Sequence, residues 1–323
     1  MALARQFLRA VRGRRSQVAF ARRLGYASNV AAEWESGRRE PSAASALGAC
    51  AGTGIDLTRA LARFHAATSH LIPVQGKGRY ARVEGPDVAR WLRAHRARLR
   101  ATEVAQRTGL SESKLSRIFS GKSGVTLTDF FAIVQATTGR VTDLIAALVD
   151  VSLVPEAAGI HARVEASREL AFAQPWTSAV IAVLDTEAYR ASPLPSRVFV
   201  ARHLGIEPAL ASRCLNSLRM AGLIRKRRGK YHAVQALTID TRDPARAASL
   251  RRHWARASTE RLENPGSRDA FAYNVFSVSR ADFERIRELQ KQYFREARAI
   301  VAGSTVPEVA GLLTLHLARF GPA

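Results

Sequence analysis

Apolar residues recur every three or four positions through most of the chain, and clusters of Gly, Pro and Ser interrupt them at short intervals. That period is the signature of short amphipathic helices. It predicts helices over 3–12, 16–24, 28–36, 42–51 and 56–66, a five-helix N-terminal domain within 1–70. The stretch AATSHLIPVQGKGRYARVEGP then reads as a connector (71–85 at its core) with a short hairpin around Gly76–Gly78. A second domain over 86–150 has helices in WLRAHRARL, EVAQRTG, ESKLSRIFS, LTDFFAIVQATTG and VTDLIAALV. A hinge and a helix fill 151–171.

The first two segments repeat each other. At an offset of 84 residues, Ala21 falls on Ala105, Gly25 on Gly109, Ala31 on Leu115, Trp34 on Ile118 and Gly37 on Gly121. The spacing has a geometric cause. Two short helices that cross closely need a small side chain at the contact, here Ala21 and Ala105. The turn between them needs the backbone freedom of Gly25 and Gly109. The second helix buries positions three apart, Ala31 with Trp34 and Leu115 with Ile118. Ser111 is placed to cap the second helix of the later copy. This is the helix-turn-helix pattern.

The same spacing returns a third time at Ala201, Gly205, Ala211 and Cys214. Here LIRKRRGKYHAV follows, two short segments about Gly229 that read as a hairpin. A helix-turn-helix followed by a hairpin is a winged helix, expected over 172–240, and Cys214 is read as a small core residue within it. Over 241–323 the pattern predicts a helix at 244–262, a strand at 272–278 (AYNVFSV) and a long helix capped by Ser279 with Asp282 in a capping box. Phe283, Ile286, Leu289, Gln290, Tyr293 and Phe294 carry an apolar stripe, suited to packing within the domain or to a dimer contact. The terminal LLTLHLARF suits either a strand or a buried helix.

Charge adds a partner. Fifty Lys and Arg against 27 Asp and Glu leave a formal net charge of +23. Such a balance favours a polyanion, nucleic acid before an anionic membrane, although Arg-rich codon usage alone also raises it. Cys50 and Cys214 are the only cysteines, which gives no disulfide framework and no cysteine-rich metal site. The basic N-terminus MALARQFLRAVRGRR has no apolar core of a signal peptide, and no apolar run is long enough to span a membrane. A cytoplasmic location is therefore expected. The eight histidines are scattered without metal-ligand spacing, and HExxH, GxSxG and GxxxxGK[ST] do not occur, so no enzyme, metal or cofactor is expected.

Residues 16–41, through SQVAFARRLG and WESGRREPS, resemble the Cro/C1-type (xenobiotic-response-element-like) helix-turn-helix, and residues 100–134 resemble it more closely. The first copy departs from that pattern at Ala31 and Ala32 and has acidic Glu33 and Glu35 nearby. Residues 172–320 resemble the DUF4423 family of bacterial proteins, through the winged segment, TIDTRDPARAASLRRHWARASTERLEN and DAFAYNVFSVSRADFERIRELQKQYFREARAI. The resemblances imply a mainly α fold, with tandem Cro/C1-like helix-turn-helix domains followed by a winged-helix-containing α+β C-terminal domain of regulatory or dimerisation role.

They also imply a sequence-specific, double-stranded-DNA-binding transcriptional regulator, expected as a homodimer open to a protein or small-molecule effector. Glu112, Ser113, Ser116 and Arg117 would face the major groove, with Arg117 suited to guanine O6 and N7. Lys114 and Lys122 would meet phosphates. In the first copy Ser28 and Asn29 face outward and Arg38 and Arg39 would clamp the backbone. The wing offers Arg225, Lys226, Arg227, Arg228 and Lys230 to phosphates. The alternative is a protein-interaction or ligand-sensing adaptor whose helix-turn-helix modules are partly structural.

Overall fold

A computed structural model describes residues 2–96, 99–234 and 243–321. Residues 97–98, within the expected helix WLRAHRARL, and 235–242, at the junction expected between the winged segment and the C-terminal region, lie outside the described residues. The fold is mainly α-helical with one small two-stranded antiparallel sheet. The chain divides into two compact units, Met1–Ala162 and Arg163–Ala323.

Among its described residues the first unit holds two sets of five α-helices, followed by the start of a further helix. The first set is α1 (Ala2–Arg12), α2 (Gln17–Arg23), α3 (Val30–Ser36), α4 (Ala43–Gly52) and α5 (Leu57–His65). The second is α6 (Gly85–Arg96), α7 (Ala101–Thr108), α8 (Glu112–Phe119), α9 (Leu127–Thr138) and α10 (Val141–Leu148). Side-chain caps fix many of their starts. Ser16, Asn29, Ser42, Asp56, Ser111 and Thr126 each accept a backbone N–H from the first turn of the helix that follows. The connector forms the expected tight reversal, with Gln75 and Arg82 exchanging backbone hydrogen bonds of 2.9 and 2.8 Å.

One continuous apolar core runs through both sets. Phe7 on α1 meets Phe131 on α9 edge to face at 5.3 Å between ring centres. Trp91 of α6, fully buried, packs among Phe64, His95 and Phe130. Helix α5 packs on α10, and Arg63 and Arg140 donate across that contact to the carbonyls of Ala147 and Phe64. The core was anticipated from the buried periodicity; its continuity between the sets was not.

The boundary between the units falls inside α11 (Pro155–Ala173). The second unit continues with α12 (Trp176–Asp185), α13 (Glu187–Ala191), α14 (Ser196–Leu204) and α15 (Pro208–Met220). Strands β1 (Ile224–Arg227) and β2 (Lys230–Ala233) follow, then α16 (Pro244–Glu263) and α17 (Arg280–Gly303). Its core gathers Val180, Leu184, Tyr189, Val200, Ala211, Cys214, Leu218 and Ile224.

Two C-terminal expectations are corrected. Residues 272–278 form no strand, and Tyr273, Val275 and Phe276 are exposed. A β-rich segment needs a neighbour to satisfy its backbone, and among the described residues of this chain it has none. Residues 312–320 likewise form neither strand nor helix. The Ser279 cap is present: its hydroxyl accepts the Asp282 N–H at 3.1 Å, while the Asp282 carboxylate turns to that hydroxyl rather than to the backbone. The stripe on α17 is divided: Phe283, Ile286 and Gln290 are half-buried, while Leu289, Tyr293 and Phe294 stand exposed.

Candidate nucleic-acid interface

Helix α8 is set by its ends. Gly109 turns the chain in the left-handed region (φ 72°) after α7, and Ser111 Oγ accepts the Lys114 N–H at 3.3 Å. Gly121 (φ 76°) ends the helix, and its amide donates to Ile118 O. Leu115, Ile118 and Phe119 are buried, which fixes the helix's rotation about its axis. Glu112, Ser113, Lys114, Ser116 and Arg117 are left exposed, as is Lys122 beyond the turn. The expected reading face is thus a continuous polar surface.

Its cations are not equivalent. Lys114 Nζ sits 2.7 Å from the Asp129 carboxylate on α9, so its charge is largely neutralised within the unit. Arg117 makes no ion pair among the described residues.

Helix α3 is built alike but presents different chemistry. Ala31 and Trp34 are buried, matching Leu115 and Ile118. Ser28 and Asn29 are exposed, yet Asn29 Oδ1 already accepts the Ala32 N–H at 3.3 Å as the helix cap. Arg38 and Arg39 are exposed after Gly37, with Arg38 Nε donating to Ser36 Oγ at 3.3 Å. Glu35 is not a surface acid at all, being only 3% exposed. Arg12 grips it with contacts of 2.6 and 3.2 Å, Gln17 Nε2 donates to it at 3.0 Å, and Arg9 approaches at 3.5 Å. Those contacts tie α1, α2 and α3 together. The pattern missed this role because two acids on a short helix look alike in sequence. Only Trp34, marking the adjoining buried position, hints that Glu35 turns inward.

In the second unit Ala201, Ala211 and Cys214 are buried, Gly205 is left-handed (φ 65°), and α14 and α15 pack together. Burial pushes the Cys214 thiol pKa up, and that of buried Cys50 up to about 12, as befits unreactive core thiols. Strands β1 and β2 pair from Ile224↔Ala233 to Arg227↔Lys230, leaving a two-residue loop of Arg228 (φ 48°) and Gly229 (φ 82°). Two left-handed residues make the primed turn that suits the twist of a hairpin. Arg225, Lys226, Arg227 and Arg228 are exposed. Lys230 departs from them: its ammonium donates to Ser192 O at 2.5 Å and Leu194 O at 3.1 Å, over the Tyr189 ring. It anchors the base of the β1–β2 hairpin to the 192–194 backbone. Tyr189 completes that anchor, its hydroxyl accepting the Tyr231 N–H at 2.9 Å.

Residues 87–148 match the family model described as a helix-turn-helix domain. Residues 162–309 match the model described as a domain of unknown function, DUF4423. The chain therefore carries a helix-turn-helix domain followed by a DUF4423 domain, and the first supports a DNA-binding or regulatory role in general. Neither the curated proteins nor the solved structures include a match to the chain. No helix among the described residues is long and apolar enough to cross a membrane.

Proposed function

We infer that the protein is a sequence-specific transcriptional regulator of the Cro/C1 type, binding double-stranded DNA in the cytoplasm. The observation that carries this is the exposed face of α8, with Ser113, Ser116 and unpaired Arg117 over a buried Leu115–Ile118–Phe119 base. A helix of that design enters the major groove with its outward side chains against base edges. Arg117 reads a guanine, Ser113 and Ser116 bond nearby bases or phosphates, and Lys122 holds the backbone. The wing adds Arg225, Lys226, Arg227 and Arg228 as phosphate contacts. Arg228 occupies a left-handed position that a longer side chain adopts at a cost of about 1 kcal/mol, and the basic charge it adds at the tip gives a reason for keeping it there.

Selection of bound duplexes from a random pool, followed by titration of the selected site, tests the reading. Arg117→Ala should cost about 1–3 kcal/mol at one base position, while scrambled DNA binds nearly as before. Equal affinity of the unaltered protein for every duplex sinks sequence-specific reading. A homodimer forms through α17, where Leu289, Tyr293 and Phe294 are exposed. The same apolar surface favours the second reading, a protein-interaction adaptor. A stable complex with another protein and no duplex binding would select it.

A further inference from the structure

The two sets of helices in the first unit are not arranged as beads in a row. Ser42 and Thr126, exactly equivalent at the 84-residue offset, face each other as an antiparallel bridge. Ala43 N–H donates to Val125 O at 2.8 Å, and Leu127 N–H donates to Pro41 O at 3.0 Å. Exchanging every residue for its counterpart 84 positions away turns one bond into the other. Helices obey the same exchange: α4 packs on α9 and α5 on α10, while the α1–α9 contact interchanges with α4–α6. Equivalent residues meet reciprocally only about a two-fold axis, the geometry of an isologous dimer. A simple tandem array would instead join the end of one copy to the start of the next.

That axis lies beside the segments that leave the two recognition-type helices. Five residues lie between Ser36, ending α3, and Ser42, and six between Phe119, ending α8, and Thr126. Chain reach holds each helix end within about 20–25 Å of the axis. The reciprocal exchange places one helix on each side of the axis, and this reach permits half-sites one DNA turn apart, about 34 Å.

The two faces differ at one charged position, half-buried Glu33 against exposed Arg117. Arg117 corresponds to Glu33, Ser116 to Ala32, and Ser113 to Asn29, whose side-chain oxygen is occupied by its own helix. The basic residue after each glycine is kept, Lys122 matching Arg38. We propose that one chain is an intramolecular dimer that binds a single operator as two unlike half-sites. The α8 half is read at the bases through Arg117; the α3 half is held at phosphates through Arg38 and Arg39, with Glu33 withholding base affinity. This rests on the DNA-binding reading above.

The full chain tests it in two ways. In a Ser42→Cys, Thr126→Cys variant, oxidation should cross-link within one chain and leave operator affinity within about twofold of the same variant reduced. Loss of binding on oxidation, reversed by reductant, would show that the copies must separate and would overturn the proposal. Hydroxyl-radical footprints on the selected operator supply the second arm. The expected result is backbone protection in two adjacent turns with base preference in one. Arg117→Ala should erase that preference, Arg38→Ala with Arg39→Ala should erase protection in the other turn, and Glu33→Arg should tighten binding severalfold. A strictly palindromic operator with equal preference in both halves overturns the asymmetric assignment while leaving DNA binding intact. Absence of any duplex binding overturns both.

Discussion

Acidification should weaken the first unit through His95. Its ring lies against Trp91, 4.1 Å between centres, and contacts Phe64 and the edge of His65. Its Nε2 is 2.9 Å from the Thr68 hydroxyl, which also lies 3.2 Å from His65 Nδ1. Burial among these rings, then the neighbouring His65 and the Arg140 guanidinium, lower its pKa from 6.5 to about 4. The folded protein therefore binds its proton less readily than the unfolded chain. Stability from this group is complete above the unfolded value of 6.5 and is lost as pH falls from there toward 4. Each tenfold of proton affinity is worth about 1.4 kcal/mol, so a fully shielded ring would lose about 3 kcal/mol. Solvent reaches part of this ring, which reduces the expected loss to about 1–2 kcal/mol. Urea unfolding of the protein and of His95→Gln between pH 7 and 4.5 measures it. The wild type should lose that much more stability than the variant over the interval. Parallel curves for the two would refute the assignment.

Glu35→Ala should destabilise the first unit by about 3 kcal/mol, because it strands the Arg12 guanidinium in a nearly closed contact; thermal unfolding measures this, and a change below 1 kcal/mol would contradict it. Lys230→Ala should lower the melting temperature of the second unit yet leave the salt dependence of DNA binding unaltered, whereas Lys226→Ala should flatten that slope by about one phosphate equivalent. A fragment of residues 86–150 should show no cooperative unfolding transition, since it loses Phe7 against Phe131 and α5 against α10; a sharp calorimetric transition would show that the second helix set folds alone. Leu289→Asp with Tyr293→Asp should yield monomers in sedimentation wherever the parent is dimeric.

The helices of the first unit are legible because each is short, periodic and punctuated. Expected 42–51 and 56–66 stand against Ala43–Gly52 and Leu57–His65 in the structure, displaced by a residue at the ends where capping decides. The hairpin around Gly229 was legible for a related reason: its turn is local chemistry. What escaped the pattern is what depends on distant partners. Phe131 reads as an apolar face residue, and nothing adjacent to it names Phe7 as the ring it meets. Lys230 reads as one more cation in RKRRGK, although the two carbonyls that hold it belong to residues almost forty positions earlier. The β-rich AYNVFSV has strand composition without a strand, because pairing is a property of two segments and composition describes only one.

Net charge suffers the same limitation as a guide to the interface. Arg12, Lys114, Arg140 and Lys230 all add to the +23, and all are occupied internally, by Glu35, Asp129, Asp143 and backbone carbonyls. Arg117, Lys122, Arg38, Arg39 and the cations of the β1–β2 turn stand outward, among other exposed cations spread over both units such as Arg14, Arg59, Arg93, Arg202 and Arg251. Lys122 and Arg38 directly follow the left-handed glycines Gly121 and Gly37, and Arg117 lies on the exposed side of a helix between buried Leu115 and Ile118. A polyanion surface is therefore distinguished by where cations sit relative to a polar helix face, and the net charge alone does not single it out. The sign reversal between Glu33 and Arg117 carries this further. Helices α3 and α8 bury matching positions, Ala31 with Trp34 and Leu115 with Ile118, yet carry opposite charges at Glu33 and Arg117.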